Sequence, residues 1–225
     1  MSSALRQRLR DNGLSLATLA IFGAFMAAQT LTGLHAFNDE QREHGQPVVS
    51  LVAYLRSGHF IEATAENWES EFLQMAAYVL LTAVLVQRGS SESKKPDEPA
   101  EVDRDPQLSR SKLDAPWPVR RGGWVLRVYE HSLSIAFLGL FLIAFGLHAV
   151  GGTMARNHEA ILHGEGAIGT LEFMRSSQFW FESFQNWQSE FLALVAMVTL
   201  SIYLRERGSP ESKPVDASHG DTGSS

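Results

Sequence analysis

Two glutamates, each preceded four residues earlier by an asparagine, are the side chains best placed to do chemistry: Asn67 with Glu71, and Asn186 with Glu190. Each pair sits in the same string, Asn-Trp-x-Ser-Glu-Phe-Leu, and leads into an apolar run, 72–87 or 191–204. Residues four apart share a helix face, so each asparagine stacks beside its glutamate. The second run gives about 21 Å of helix at about 1.5 Å per residue, short of the roughly 30 Å of hydrocarbon in a bilayer. A spanning helix therefore extends upstream through Trp187 and Phe184, which carries Glu190 to the outer hydrocarbon boundary. An acid at that depth is costly unless it meets a cavity or a partner. Arg56 and Arg175, repeated on the same side, are the expected partners. The functional reading is an Asn/Glu/Arg binding site, one copy per repeat, opening outward. The competing reading is an interfacial glutamate that caps and holds helix ends.

Among the histidines, His44 and His163 recur, each closing the pattern Asn-x-Glu-x-x-x-His-Gly. Helical spacing places Glu40 beside His44, and with Asn38 they offer oxygen and nitrogen ligands to a metal. A glycine directly after each histidine also suits a helix C-terminus, with the imidazole at its negative end. Capping is the preferred reading, and no metal or cofactor is expected. His35, His131 and His148 lie near helix ends but match no histidine in the other repeat, so a haem or redox role ranks last. Cysteine is absent, which excludes disulfides, thiol nucleophiles and thiolate metal sites. No phosphate loop or nucleophile–base arrangement is found, and no enzymatic activity is expected. With a net charge of −6 and no basic stripe, nucleic acid is not an expected partner.

The elements that position these residues repeat. At a shift of 119, Gly33, Asn38, Glu40, His44 and Gly45 fall on Gly152, Asn157, Glu159, His163 and Gly164; Arg56, Ser57 and Phe60 fall on Arg175, Ser176 and Phe179. Arg88-Gly-Ser-Ser-Glu-Ser-Lys94 falls on Arg207-Gly-Ser-Pro-Glu-Ser-Lys213. Upstream the register is 117, which puts a two-residue indel in or near the first helix of each repeat. Such internal similarity is the mark of a duplicated structural unit.

No Asp, Glu, Lys or Arg occurs between Asn12 and Asn38, or between His131 and Ala155. Both windows exceed the roughly 20 residues a spanning helix needs. The expected fold is all-α: a polytopic membrane protein with four transmembrane helices from two parallel tandem repeats and helical connections on the outward side. The first repeat covers 1–88, with spans at about 14–34 and 66–87. A flexible, Ser-, Pro- and charge-rich cytoplasmic linker covers 89–118. The second repeat covers 119–207, with spans at about 131–151 and 184–204, and a disordered tail covers 208–225. A cleaved signal peptide is the rival for the first span, but the apolar run continues to Leu34 without a clear cleavage site. Of 19 basic residues, all but Arg42, Arg56, Arg156 and Arg175 lie on the side of the termini and linker. The positive-inside rule places that side in the cytoplasm.

The paired segments Glu66-Asn-Trp-Glu-Ser-Glu-Phe-Leu73 and 179–192, each followed downstream by Arg-Gly-Ser-x-Glu-Ser-Lys, resemble a family of bacterial integral membrane proteins classed as a domain of unknown function. The resemblance implies a multi-pass inner-membrane protein of this architecture, and no assigned activity. Three functions follow as expectations. The first is a non-enzymatic bundle that binds a small polar ligand or supports a membrane complex through its outward face. The second is a small cation transporter or channel using the Asn/Glu pairs, and the third a haem or redox accessory protein. The expected partner is the lipid bilayer, with a second copy of the chain or another membrane protein left open.

Overall fold

The computed structural model describes residues 3–223, which form helices and turns with no strand among them. The order is α1 (Ser3–Asp11), α2 (Gly13–Glu43), α3 (Leu51–Tyr54), α4 (Gly58–Val84), two 3-10 turns (Glu101–Asp103 and Pro106–Ser109), α5 (Trp117–Arg121), α6 (Gly123–Glu130), α7 (Ser132–Leu162), α8 (Thr170–Phe173) and α9 (Ser177–Tyr203). Helices α2 and α7, 31 residues each, are long and apolar enough to cross a membrane. Their hydrophobic side chains stay largely uncovered: Leu14, Leu19 and Phe25 of α2, and Leu142 and Ile143 of α7, are all exposed. A helix in the core of a soluble protein would bury such residues.

All four long helices run further at one end than their apolar runs. Helices α2 and α7 continue to Glu43 and Leu162, while α4 and α9 begin at Gly58 and Ser177. Polar residues in these extensions are good enough helix formers to continue the ladder, and side-chain caps fix where it stops. Gly45 and Gly164 adopt φ of 65° and 72°, the left-handed conformation that ends a helix. Beyond each turn, an asparagine side chain clamps the returning backbone in both directions. Asn38 Nδ2 donates to Val49 O at 3.1 Å while Val49 N donates to Asn38 Oδ1 at 2.7 Å. Asn157 does the same to Ile168, at 2.9 Å both ways. Ser57 and Ser176 then cap the next long helices, accepting from the amides of Phe60 and Phe179. The bounds of α2 and α7, and those of α4 and α9, are offset by 119 residues at both ends.

The chain divides into two compact units, Met1–Thr64 with Ala149–Phe173, and Ala65–His148 with Met174–Ser225. Close approach through glycine holds the first. A Cβ on Gly58 would lie 2.2 Å from Ala155 N, and one on Gly151 would lie 2.6 Å from Glu62 N. Gly33 and Gly152 lie directly beneath the buried rings of Tyr54 and Phe173. Small residues let backbones meet in this way between membrane helices.

In the second unit, residues 89–118 and the tail, expected to be flexible, carry specific contacts. Tyr78 of α4 donates to Glu92, and Lys94 donates to Ala83 O at 2.9 Å and to Asp103 at 2.8 Å. Arg110 donates to the carbonyls of Arg120 and Arg121. Lys213 is buried, its ammonium shared among the carbonyls of Ser218, His219 and Asp221. Gly89 N donates to Thr222 Oγ1, and Gly223 N donates to Ser90 O.

Candidate functional site

The most concentrated polar chemistry lies inside the second unit, where three long helices contribute to one buried centre. Glu69 of α4 and His148 of α7 are both fully buried, and His148 Nδ1 lies 2.7 Å from Glu69 Oε2. On the far side of the ring, Nε2 lies 3.3 Å from Oε2 of Glu182, a half-buried residue of α9. Trp187 of α9 donates its indole N–H to the other Glu69 oxygen at 2.8 Å. Gln178 donates to the second oxygen of Glu182. Phe179, also fully buried, stacks on the imidazole with ring centroids 4.7 Å apart. Its neighbours Phe145 and Trp180 continue the aromatic wall.

Helix geometry explains this convergence. Phe179, Ser183 and Trp187 are spaced by four and share one face of α9. Phe179 and Trp187 touch His148 and Glu69 respectively, and Ser183 lies between them on that face. Its hydroxyl is buried and has no hydrogen-bond partner. On α4, Glu66 sits three residues before Glu69 on the same face, half-buried, within electrostatic range of His148, Glu182 and Glu69.

A carboxylate only accepts hydrogen bonds, so both ring contacts are satisfied in one of two ways. Either an imidazolium lies between two carboxylates, or a neutral ring lies between one carboxylate and one carboxylic acid. Both states contain a single shared proton and a net charge of −1. The centre is thus an acidic, desolvated group able to exchange that proton for another cation. His148 and Glu182 are residues able to hold a metal here.

The Asn/Glu positions singled out by spacing lie nearby but are more open. Asn67 and Glu71 are exposed, and Asn186 and Glu190 half-buried. Glu71 and Glu190 lie within electrostatic range of one another, and Gln74 Nε2 donates to the Glu190 carbonyl at 2.8 Å. The carbonyls of Asn67 and Asn186 accept from Ser70 and Ser189 at 2.8 Å each. Arg56 and Arg175 are exposed and form no ion pair among the described residues. In the first unit His44 and His163 come together, edge to face, with ring centroids 5.9 Å apart; both are exposed. His44 Nδ1 lies 2.9 Å from the Glu40 carbonyl, as a C-terminal cap requires. His35 and His131 are exposed.

A family model described as a domain of unknown function (DUF6766) matches residues 5–224. The chain belongs to that family. No curated protein and no solved structure matches it. Within DUF6766, the chemistry must be argued from this chain's own residues.

Sequence reasoning passed over Glu69 and Glu182, and ranked His148 last, because it sought polar residues that recur. These three do not: their counterparts at a shift of 119 are Gln188, Gln29 and Ala63. The departure from the repeat was itself the available signal. A second non-recurring cluster lies in the first unit. Phe37 packs on Tyr54, His59 and His158; Tyr54 Oη lies 3.1 Å from His59 Nδ1, and His158 Nε2 lies 3.0 Å from Gln41 Oε1. Burial holds the His59 pKa below its ordinary value, with Glu40 opposing.

Proposed function

We propose that this DUF6766 chain is a four-span inner-membrane protein that binds a small cation, the proton included, at the Glu69–His148–Glu182 centre. It is built from two parallel repeats, with both termini in the cytoplasm. Matching helix bounds, asparagine clamps and serine caps 119 residues apart support the duplication. Helices α4 and α9, at 27 residues, reach about 40 Å, enough to cross. Their apolar content is diluted by acids and amides at the outward end; the spanning part of α4 begins near Glu66. The distribution of Lys and Arg supports the orientation.

The observation that carries the function is the fully buried imidazole with a carboxylate at each nitrogen. Ionisable residues at membrane depth are costly and mark ion sites and proton relays. With this centre, the binding reading acquires a ligand class: a cation, entering from the outward side, where Glu182 keeps partial exposure. Haem is not favoured, because both nitrogens of His148 already face carboxylates.

Attenuated-total-reflection infrared spectroscopy on reconstituted protein tests this. Changing pH or cation in the perfusate should produce carboxylate difference bands that diminish in Glu69→Gln and Glu182→Gln. A folded protein whose bands are absent, or identical in both variants, rules the reading out.

A further inference from the structure

We infer that the cation is a divalent first-row transition-metal ion, bound between Nε2 of His148 and the carboxylate of Glu182. This rests on the cation-binding reading and names the ion class. Three independent features of the centre point to it.

The first is how the ring is held. A metal-ligating histidine commonly gives its other ring N–H to a carboxylate, which sets the tautomer and the ring orientation. Glu69 stands in that position at 2.7 Å, and it is itself fixed by the Trp187 indole at 2.8 Å. Phe179 stacked on the ring face restricts rotation further. Nε2 is left directed at Glu182.

The second is spacing. Metal–nitrogen and metal–oxygen bonds near 2.0–2.1 Å place two ligands of a tetrahedron about 3.3–3.4 Å apart. Nε2 and Glu182 Oε2 are separated by 3.3 Å, whereas the ring's contact with Glu69 has ordinary hydrogen-bond length. The two sides of one imidazole therefore differ in the way a ligand side and a support side should. Charge agrees: replacing the shared proton by a divalent ion takes the Glu69–His148–Glu182 trio from −1 to neutral. Glu66, on the same face of α4 as Glu69, lies within electrostatic range of the trio.

The third is the stranded hydroxyl. Ser183 Oγ is buried, lacks a partner and lies on the α9 face that carries Phe179 and Trp187. Buried polar groups in native proteins are almost always paired. A water carried on the metal gives this hydroxyl its missing bond. The donor set contains imidazole and carboxylate and no thiolate, since the chain has no cysteine. That set suits Zn(II), Fe(II) or Mn(II) better than Cu(I) or an iron–sulfur cluster.

The test uses the full chain, purified, metal-stripped and held in lipid nanodiscs. Co(II) is titrated and followed by its visible ligand-field absorption, then challenged with Zn(II). The expected result is saturable binding of a single Co(II) with tetrahedral-type intensity, displaced by Zn(II). Both His148→Gln and Glu182→Gln should weaken it more than about 100-fold, and Glu69→Gln, which leaves the ligands in place, by about 10- to 100-fold. Circular dichroism melting of each variant separates lost binding from lost fold, and the milder Glu69→Gln keeps the test decisive if the others unfold. Absence of the Co(II) band in folded wild-type protein, or binding unchanged in His148→Gln, overturns the assignment. If the infrared bands respond to protons or sodium while Co(II) fails to bind, the metal assignment falls and the cation-binding reading stands. If neither responds, both fall.

Discussion

Replacing Glu69 by leucine and, separately, by glutamine distinguishes a buried ionic centre from a merely polar packing residue. Glu69 is fully buried and accepts from two N–H groups, His148 Nδ1 at 2.7 Å and Trp187 Nε1 at 2.8 Å. Leucine removes both acceptors and leaves an imidazole and an indole donor stranded without solvent. Breaking a buried charged pair from one side typically costs about 3–5 kcal/mol. Glutamine behaves differently. Its carbonyl accepts from Trp187, and its amide donates to Nδ1 once the ring takes the tautomer protonated at Nε2, which then donates to Glu182. All groups stay paired, and the net loss should be about 1 kcal/mol, the scale of one rearranged hydrogen bond. Adding His148→Phe to the leucine variant removes the stranded imidazole and should recover part of the loss. The assay is reversible unfolding in mixed micelles, followed by circular dichroism against denaturing detergent. Leucine and glutamine variants of equal stability would refute the reasoning, because the argument depends on pairing and not on volume.

Three further outcomes can be checked on the same preparation. Gly33→Ala should destabilise by about 1–3 kcal/mol through overpacking, since its Cβ would lie 2.1 Å from Tyr54 Oη; Gly23→Ala, with nothing within 4 Å, should be neutral or stabilising in the same melt. Single cysteines at exposed Ser50 and Ser111 should divide by topology, the first reacting with an impermeant thiol reagent on intact cells and the second only after lysis; the reverse pattern would invert the orientation. Ser90, being buried, is unsuitable as the inner reporter. The His59 pKa is depressed by burial, so the unfolded chain takes up this proton first on acidification. The associated stability is present above the ordinary histidine value of about 6.5 and is lost as pH falls below it. The melting temperature should therefore fall between about pH 7.5 and 5.5, and a His59→Gln variant should show a shallower fall.

The long helices were legible because a charge-free window longer than about 20 residues leaves little else for the chain to form. The 119-residue register was legible because glycines, asparagines and serines at turns have fixed geometric duties. Asn38 and Asn157 recur because each must clamp a returning strand of backbone, and Gly45 and Gly164 because each adopts positive φ. The polar extensions of the long helices were not legible, since hydropathy registers where apolar residues stop and not where hydrogen-bond ladders do. Contacts made by residues 89–118 and the tail escaped for a related reason: Lys213 surrounded by three carbonyls leaves no trace in composition. Arg56 and Arg175 were matched to the glutamates by side and repetition alone, which says nothing about reach.

The deeper difficulty is that repetition and function pull apart in this chain. A duplicated unit conserves what both copies need, namely packing and turns, so recurring residues report on the scaffold. A single site needs residues that one copy has and the other lacks. His148 occupies the position that Gln29 holds in the first repeat, where the amide donates to Thr64 at 3.2 Å. At the Glu69 position the second repeat has a neutral amide, Gln188, and at the Glu182 position the first repeat has a methyl group, Ala63. One acid from the first half meets an acid and an imidazole from the second, and each of the three has a neutral counterpart in the other half. Symmetric copies of so charged a centre would double the desolvation penalty within one small protein, whereas one copy concentrates the ionic chemistry and leaves the equivalent positions neutral. If that is why the repeats diverged, reverting His148 to the glutamine of its counterpart should leave the fold standing and remove the cation site.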